Sequence, residues 1–256
     1  MPHQEEQSYQ NYQPVKTADG SYTLFSTQYN QCYHSTKDGA FIESLHKHVM
    51  PAFKLQANQD ALTILDICFG LGFNTLTTLW YNDKHDKKPL KIYTPELDES
   101  MLDNLEALSY PEELQPYLFI LKQLIKDKVY EDEHYKIELF IGDARAYIKR
   151  FENMFDIVYQ DAFSPDENPM LWTLEYFSDI KRSMKETGVL TTYSTALKTR
   201  LSLYENGFGV YLFRDEKVRS STIAMMSSVP QNSFDMSLVD IEHKKSVNPE
   251  VRPLRD

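Results

Sequence analysis

The string Ile64-Leu65-Asp66-Ile67-Cys68-Phe69-Gly70-Leu71-Gly72-Phe73-Asn74 constrains this chain more than any other segment. The apolar run Leu62–Ile67 reads as a buried parallel strand. It enters two glycines, and a helical pattern continues over residues 74–81. Glycine lets the backbone turn tightly and approach a ligand with no Cβ between them. In an open α/β sheet, such a turn lies at the carboxyl edge of the strands, where ligands bind.

The same alternation recurs downstream. Strands are expected over residues 90–94, 137–141, 156–160 and 189–193. Helices are expected over 100–108, 111–127 (as a pair), 144–151, 173–184 and in a short piece ending at 203, with 208–213 and 222–226 as a closing antiparallel pair. This pattern predicts a Rossmann-like α/β sheet with helices on both faces. Upstream, residues 21–26 and 31–35 predict an N-terminal β-hairpin. A helix is expected over 38–50, where Phe41, Ile42, Leu45 and Val49 recur at helical spacing and Pro51 follows. Residues 1–19 read as a frayed polar terminus. The chain thus divides into an extension (1–60), a Rossmann-like domain (61–230) and a polar tail (231–256).

Composition narrows the setting. No apolar run approaches the roughly 18–20 residues that cross a bilayer. The first thirty residues have no basic stretch followed by an apolar core, so no signal peptide is expected. Two cysteines, Cys32 and Cys68, are too few for a disulfide framework, and a reducing, cytoplasmic setting is the expectation. The net charge of −11 opposes general polyanion binding, but its distribution is uneven. Residues 177–256 hold 12 Lys+Arg against 10 Asp+Glu, whereas residues 1–176 hold 15 against 28. Contact with a polyanion is therefore expected to favour the C-terminal third.

Four acids fall at the ends of successive expected strands. Asp66 is placed to meet a cationic ligand, where a pyrophosphate would want the opposite charge. Glu96, with Asp98 as its competitor, can accept from ribose hydroxyls. Asp143 can accept from an adenine amino group, and Asp161 ends the fourth strand. Each alone is commonly a helix cap or a solvated loop acid. Together they argue for a cationic, adenosine-bearing ligand. Position 75 is Thr, so the third glycine of a dinucleotide loop is missing and a nicotinamide dehydrogenase is disfavoured.

The segment Tyr159-Gln160-Asp161-Ala162-Phe163-Ser164-Pro165 leads through Asn168-Pro169 to Trp172-Thr173. Prolines and an aromatic after a strand-end acid make a stiff loop at the ligand edge. Asp161 there can orient an amine and accept its proton. Phe163 and Trp172 can pack on a flat base or serve as core. Tyr33, His34, Ser35, Glu43 and Ser44 can line the site from the N-terminal side, and their spacing suits no metal site.

These motifs carry a family resemblance. Asp66-x-x-Phe69-Gly70-x-Gly72-x-Asn74, Gly142-Asp143-Ala144 and Asp161-Ala162-Phe163-Ser164-Pro165-x-x-Asn168-Pro169-x-x-Trp172-Thr173 resemble the methyltransferase half of the bifunctional tRNA wobble-uridine family MnmC. Tyr33-His34-Ser35 and Gly39-Ala40-x-x-Glu43-Ser44 are similar to its stand-alone, MnmD-type members. The resemblance covers residues 25–226, and its most specific part is the Asp161–Trp172 segment. It implies an S-adenosylmethionine-dependent methyltransferase sheet and a tRNA partner. The reaction implied converts the 5-aminomethyl group of a (2-thio)uridine at the wobble position to 5-methylaminomethyl.

On that resemblance, Gly70, Gly72, Glu96 and Asp143 hold the cofactor and Asp161 faces the acceptor amine; Asp66, Asn74 and Ala144 beside them are expected in the same cofactor site. Tyr33, His34, Phe163, Pro165 and Arg219 fall on the acceptor side. No metal is implied. The flavin oxidase half of the bifunctional relatives has no counterpart here, so no flavin or oxidoreductase activity is expected. Cys68 stands where relatives carry the first loop glycine, and Val218-Arg219-Ser220-Ser221 matches the relatives' Lys-Arg-Glu at Arg219 alone. Spermidine-synthase-like aminopropyl transfer and a non-catalytic tRNA-binding module remain as alternatives. The former normally carries a richer Gly-Gly-Gly-Asp-Gly-Gly loop.

Overall fold

The computed structural model describes residues 12–226 and 235–256. A small antiparallel sheet holds β1 (Tyr12–Lys16), β2 (Tyr22–Ser26) and β3 (Gln31–Cys32). The main sheet contains β4 (Leu62–Ile67), β5 (Leu90–Glu96), β6 (Val129–Glu131), β7 (Tyr135–Ile141), β8 (Phe155–Gln160), β9 (Met184–Thr192), β10 (Gly209–Asp215), β11 (Val218–Met225) and β12 (Met236–Leu238). Their order is β12-β10-β11-β9-β8-β4-β5-β7-β6. The five strands from β7 to β9 run parallel, and β6, β11, β10 and β12 are antiparallel to their neighbours.

Side-chain alternation assigns each strand's two faces to two cores. Ile64, Ile157, Val189 and Ile223 join one, with the helix Phe73–Lys84 and the helix over residues 40–55. Leu65, Val158, Leu190 and Ala224 join the other, beneath the helices Leu174–Ser183 and Leu197–Glu205. Burying both faces is what a parallel sheet requires. From β4 the chain steps outward through β5 to β7, then returns to β8 on the opposite side of β4. That reversal makes the carboxyl ends of β4 and β8 the crevice for a ligand.

Four local expectations need correction. Residues 12–16, expected to fray, pair with β2 in register from Tyr12↔Ser26 to Lys16↔Tyr22, and residues 1–11 lie outside the described part. The helix expected to stop before Pro51 continues to Leu55. A widened π turn over Ser44–Val49 precedes the proline, where a missing N–H and a bulky ring are accommodated. The helix expected over 100–108 forms only as Glu99–Leu102. The Asn104 amide donates to the Ser100 and Met101 carbonyls, competing with the helical ladder.

The segment expected as a tail from 231 is ordered from residue 235 onward in the sheet and its flank, residues 231–234 lying outside the described part. β12 pairs with β10, Ile241 is buried, and Leu254 bridges Thr173. Few apolar residues suffice to anchor so polar a segment, and hydropathy alone does not mark them.

Candidate functional site

The glycine loop turns through three positive φ angles: Cys68 at 67°, Gly70 at 53° and Gly72 at 74°. Cys68 thus holds the left-handed conformation that favours glycine. A side chain there costs on the order of 1–2 kcal/mol, so the loop keeps its shape at the expense of local strain. At Gly70 a Cβ would sit 3.2 Å from the Tyr33 ring, so a side chain here would strain the backbone and push on that ring. The loop is tied to β5: Phe69 N–H donates to the Pro95 carbonyl and Gly70 N–H to Glu96 Oε2 at 2.9 Å.

A cavity of about 650 Å³ opens above this loop, within the roughly 300–1,000 Å³ of small-molecule sites. Gly70, Asn74, Glu96, Asp143, Ala144 and Asp161 line it. Burial pushes the Glu96 carboxyl above its usual range, against the N–H groups of Asp98 and Gly70 that favour its charge. Asp98 lines the cavity as well, but it caps Glu99–Leu102 and accepts from Ser100 and the Tyr12 hydroxyl. Asp143 is exposed and caps Ala144–Ile148, so the ordinary and the functional readings coexist in one residue. Leu97, 66 % exposed, and Met170 add apolar walls.

Asp66 and Gly72 do not line this cavity. Asp66 is buried below the loop, accepting from Thr75 Oγ1 at 2.8 Å and from Asn74 Nδ2 at 3.4 Å. Burial pushes its carboxyl up to about 7, an environment unlike that of a free anion awaiting a cation. Gly72 caps the helix Phe73–Lys84 in a left-handed conformation, with Phe69 and Leu121 against it. Both residues shape the loop from beneath.

A second cavity meets the first at Tyr33, His34, Asp161 and Phe163. Glu43, Tyr193 and Arg219 line its other side. Asp161 therefore stands in the wall common to both. Its side chain is 8 % exposed. Burial alone would raise its carboxyl, but His48 foremost, then His34 and the Asn74 amide, hold it below the usual carboxylate range. Asn74 Nδ2 donates to Oδ2 at 2.8 Å, and His48 Nε2 lies 3.4 Å from Oδ1.

The Phe163 ring stacks on Tyr29 at 4.5 Å and tilts against Tyr33 at 4.8 Å, completing an aromatic wall. Trp172 is fully buried and donates to the Phe163 carbonyl, so it serves the loop rather than a ligand. Pro165 is likewise buried and lines neither cavity. Arg219 is exposed at the second cavity's mouth, near Asp38 and Ser35. His34 is buried, which lowers its pKa against the pull of Asp161 and Glu43. Ser35 N–H donates to Glu43, whose other oxygen meets the buried Lys47. Ser44 is buried and lines neither cavity.

His48 escaped the sequence reading. It falls on the helix face that carries Phe41 and Leu45, seven and three residues earlier, where a polar residue is the informative exception. Helical spacing alone marks the face but not what the residue meets across the fold.

A parallel sheet with antiparallel closing strands, a glycine loop at its reversal point and acids around one cavity define a methyltransferase-type α/β protein. Residues 107–225 match a family model described as S-adenosyl-L-methionine-dependent methyltransferase. The crystal structure of MNMC2 from Aquifex aeolicus is 34% identical, with a TM-score of 0.84, covering 99% of this chain and 81% of that one. The chain belongs to this S-adenosyl-L-methionine-dependent methyltransferase family.

Among curated relatives, the uncharacterized protein MJ0670 of Methanocaldococcus jannaschii is 32% identical over 76% of this chain. The tRNA 5-methylaminomethyl-2-thiouridine biosynthesis bifunctional protein MnmC of Polaromonas naphthalenivorans is 29% identical over 60% of it. The matches span 53% and 26% of those relatives' own lengths. Spermidine synthase from Thermotoga maritima, 20% identical with a TM-score of 0.57 over 95% of this chain and 77% of that one, shares the fold alone. No helix among the described residues is long and apolar enough to cross a membrane.

The residues present fit S-adenosylmethionine. Gly70 leaves space that a side chain would take, and Glu96 and Asp143 offer acceptor oxygens. The apolar walls Leu97 and Met170 suit a flat ring.

Proposed function

We propose that this protein methylates the aminomethyl nitrogen of a 5-aminomethyl(-2-thio)uridine at the wobble position of tRNA, in the cytoplasm. The observation that carries this reading is the place of Asp161, a carboxylate held ionised in the wall between two cavities. One cavity suits the cofactor, and the other opens beside Arg219. The printed name of the MnmC relatives supports the substrate class.

In this reading Glu96 and Asp143 accept from the ribose hydroxyls and the adenine amino group, and Gly70 and Ala144 let the backbone approach. S-adenosylmethionine, when bound, supplies an electrophilic methyl group. Asp161 accepts a hydrogen bond from the amine and aims its lone pair along the displacement axis, where geometry does most of the work. The wall of Tyr29, Tyr33 and Phe163 packs against the pyrimidine and excludes water, which favours the neutral amine. Arg219 meets a backbone phosphate.

Nucleoside mass spectrometry of tRNA from strains with and without the gene tests the proposal. The expected result is 5-methylaminomethyl(-2-thio)uridine with the gene and the primary amine without it. Identical nucleosides in both strains would overturn it. Purified protein converting putrescine with decarboxylated cofactor would favour aminopropyl transfer instead.

A further inference from the structure

Against Asp161, lining neither cavity, lies a fully buried imidazole. His48, 0 % exposed, comes from the π turn Ser44–Val49 of the N-terminal helix. Its Nδ1 is 3.0 Å from the Thr191 hydroxyl on β9. Its Nε2 has no hydrogen-bond partner among the described residues and faces Asp161 Oδ1 at 3.4 Å. The Tyr159 ring packs edge-on against the imidazole. A buried ring nitrogen without a partner costs free energy, and a fold retains one where it has a use.

We propose that His48 is a positioning residue for Asp161 and the resting place of the proton that the acceptor amine must lose, an inference that rests on the amine-methylating reading above. Asp161 is clamped from two sides, with Asn74 on Oδ2 and His48 beside Oδ1. The clamp fixes the carboxylate toward the cavities. The same environment makes Asp161 a poor store for a proton, because its carboxyl is held below the usual range. The partnerless Nε2 beside Oδ1 offers the proton a second acceptor, one step further from the amine.

An N–H bond of the substrate ammonium breaks, and its electron pair stays on nitrogen as the lone pair used in attack. The proton passes to the Asp161 carboxylate and from Oδ1 to His48 Nε2. The result is a neutral amine, a restored carboxylate and an imidazolium whose Nδ1–H donates to Thr191. After transfer the proton returns through Asp161 to water. The titratable groups facing the imidazole are Asp161 after β8, Tyr159 within β8, Asp66 on β4 and His34 after β3; the helix Phe73–Lys84, β9 and β11, which pack on the same turn, present the neutral Asn74 and Thr191 to this cluster.

The full chain carrying His48→Asn, which retains an amide near the Nδ1 position, is compared with wild type in single-turnover methylation of tRNA bearing 5-aminomethyluridine. At pH 7 the variant is expected to lose about 10²-fold in rate with its cofactor Kd unchanged by calorimetry. The deficit should shrink as pH approaches 10, because the amine then arrives already neutral. Thr191→Val, nearly the same shape, should show a smaller loss that closes in the same pH range. A deficit equal at every pH, or none, overturns the proton role.

Asp161 titration, followed by carboxyl carbon NMR without substrate, reads the clamp separately. Its midpoint should rise by about one unit or more in His48→Asn. An unmoved midpoint overturns the positioning role. Wild-type protein that methylates no such tRNA overturns the amine reading and the proton step with it, and the NMR result still decides the clamp.

Discussion

Asn74 Nδ2 donates to Asp161 Oδ2 at 2.8 Å, joining the first helix after the glycine loop to the acid that ends β8. The same amide lies 3.4 Å from Asp66 Oδ1, so one side chain spans two buried carboxylates. The two differ in state because their partners differ. Asp161 has both His48 and His34 to offset its burial, whereas at Asp66 full burial, with the neighbouring Asp161 charge, outweighs the Thr75 and Asn74 donors and His48. That contrast makes the acid between the cavities the anion and the acid below the loop a group that binds a proton readily.

Replacing Asp161 by Asn keeps the shape and removes the charge. Methyl transfer should fall by about 10²–10⁴-fold while cofactor Kd changes by less than about threefold. Stopped-flow transfer assays beside calorimetry separate the two quantities. Equal loss of both would assign Asp161 to the cofactor site.

Asp66 predicts a pH effect on stability. Its folded carboxyl titrates at about 7, above the ordinary unfolded value, so the native state holds a proton that the unfolded state releases. Its contribution is therefore fully present below about pH 4 and is lost as pH rises toward 7. Asp66→Asn should flatten the urea-stability profile across that window, by up to about 4 kcal/mol. A profile with unchanged slope would show that Asp66 ionises normally.

Two of the loop's left-handed residues, Gly70 and Cys68, should respond unequally. Gly70→Ala adds a Cβ 3.2 Å from Tyr33 at a φ of 53°, and is expected to destabilise by about 1–2 kcal/mol and to weaken cofactor binding. Cys68→Ala keeps a Cβ where one already exists and should cost less than about 1 kcal/mol. Thermal melts with and without cofactor compare them. A larger loss at Cys68 would mean that its thiol, not the turn, matters most.

Phe163→Ala removes the middle of the aromatic wall. The apparent KM for tRNA should rise by roughly 5- to 150-fold, the value of about 1–3 kcal/mol for a lost ring contact to a base. Steady-state assays at saturating cofactor read this directly. A change confined to cofactor affinity would show that Phe163 serves the cofactor cavity alone.

Much of the fold was legible because the signals are local. Leu62–Ile67 and its glycines announce a strand and turn, and the alternation of Ile64 with Leu65 and of Ile157 with Val158 matches the two cores. The irregular pieces were not legible. Pro51 is an ordinary helix stop until a π turn accommodates it, and Asn104 breaks a helix through its own side chain. The polar C-terminal segment is held by a few anchors such as Ile241 and Leu254, whose burial depends on surfaces far away in sequence.

The candidate site shows the same division. Glu96, Asp143 and Asp161 were identifiable because an acid at a strand's carboxyl end has a defined place in this architecture. Sequence order could not separate Asp66 from them: in register it lies beside Tyr159, two residues short of the level of Asp161, and so sits within β4 rather than beyond its end.

Residue order by itself determined the parallel α/β sheet, the glycine turn and the set of acids at its edge, because strand, turn and helix propensities act over a few neighbouring residues. Tertiary structure alone decided which acids line a cavity, that Cys68 occupies a glycine's conformation, and that His48 and Asn74 meet at Asp161. The physical reason is distance: residues 48, 74, 161 and 191 come together only after four elements pack, and burial and charge at that meeting point set the state of the carboxylate.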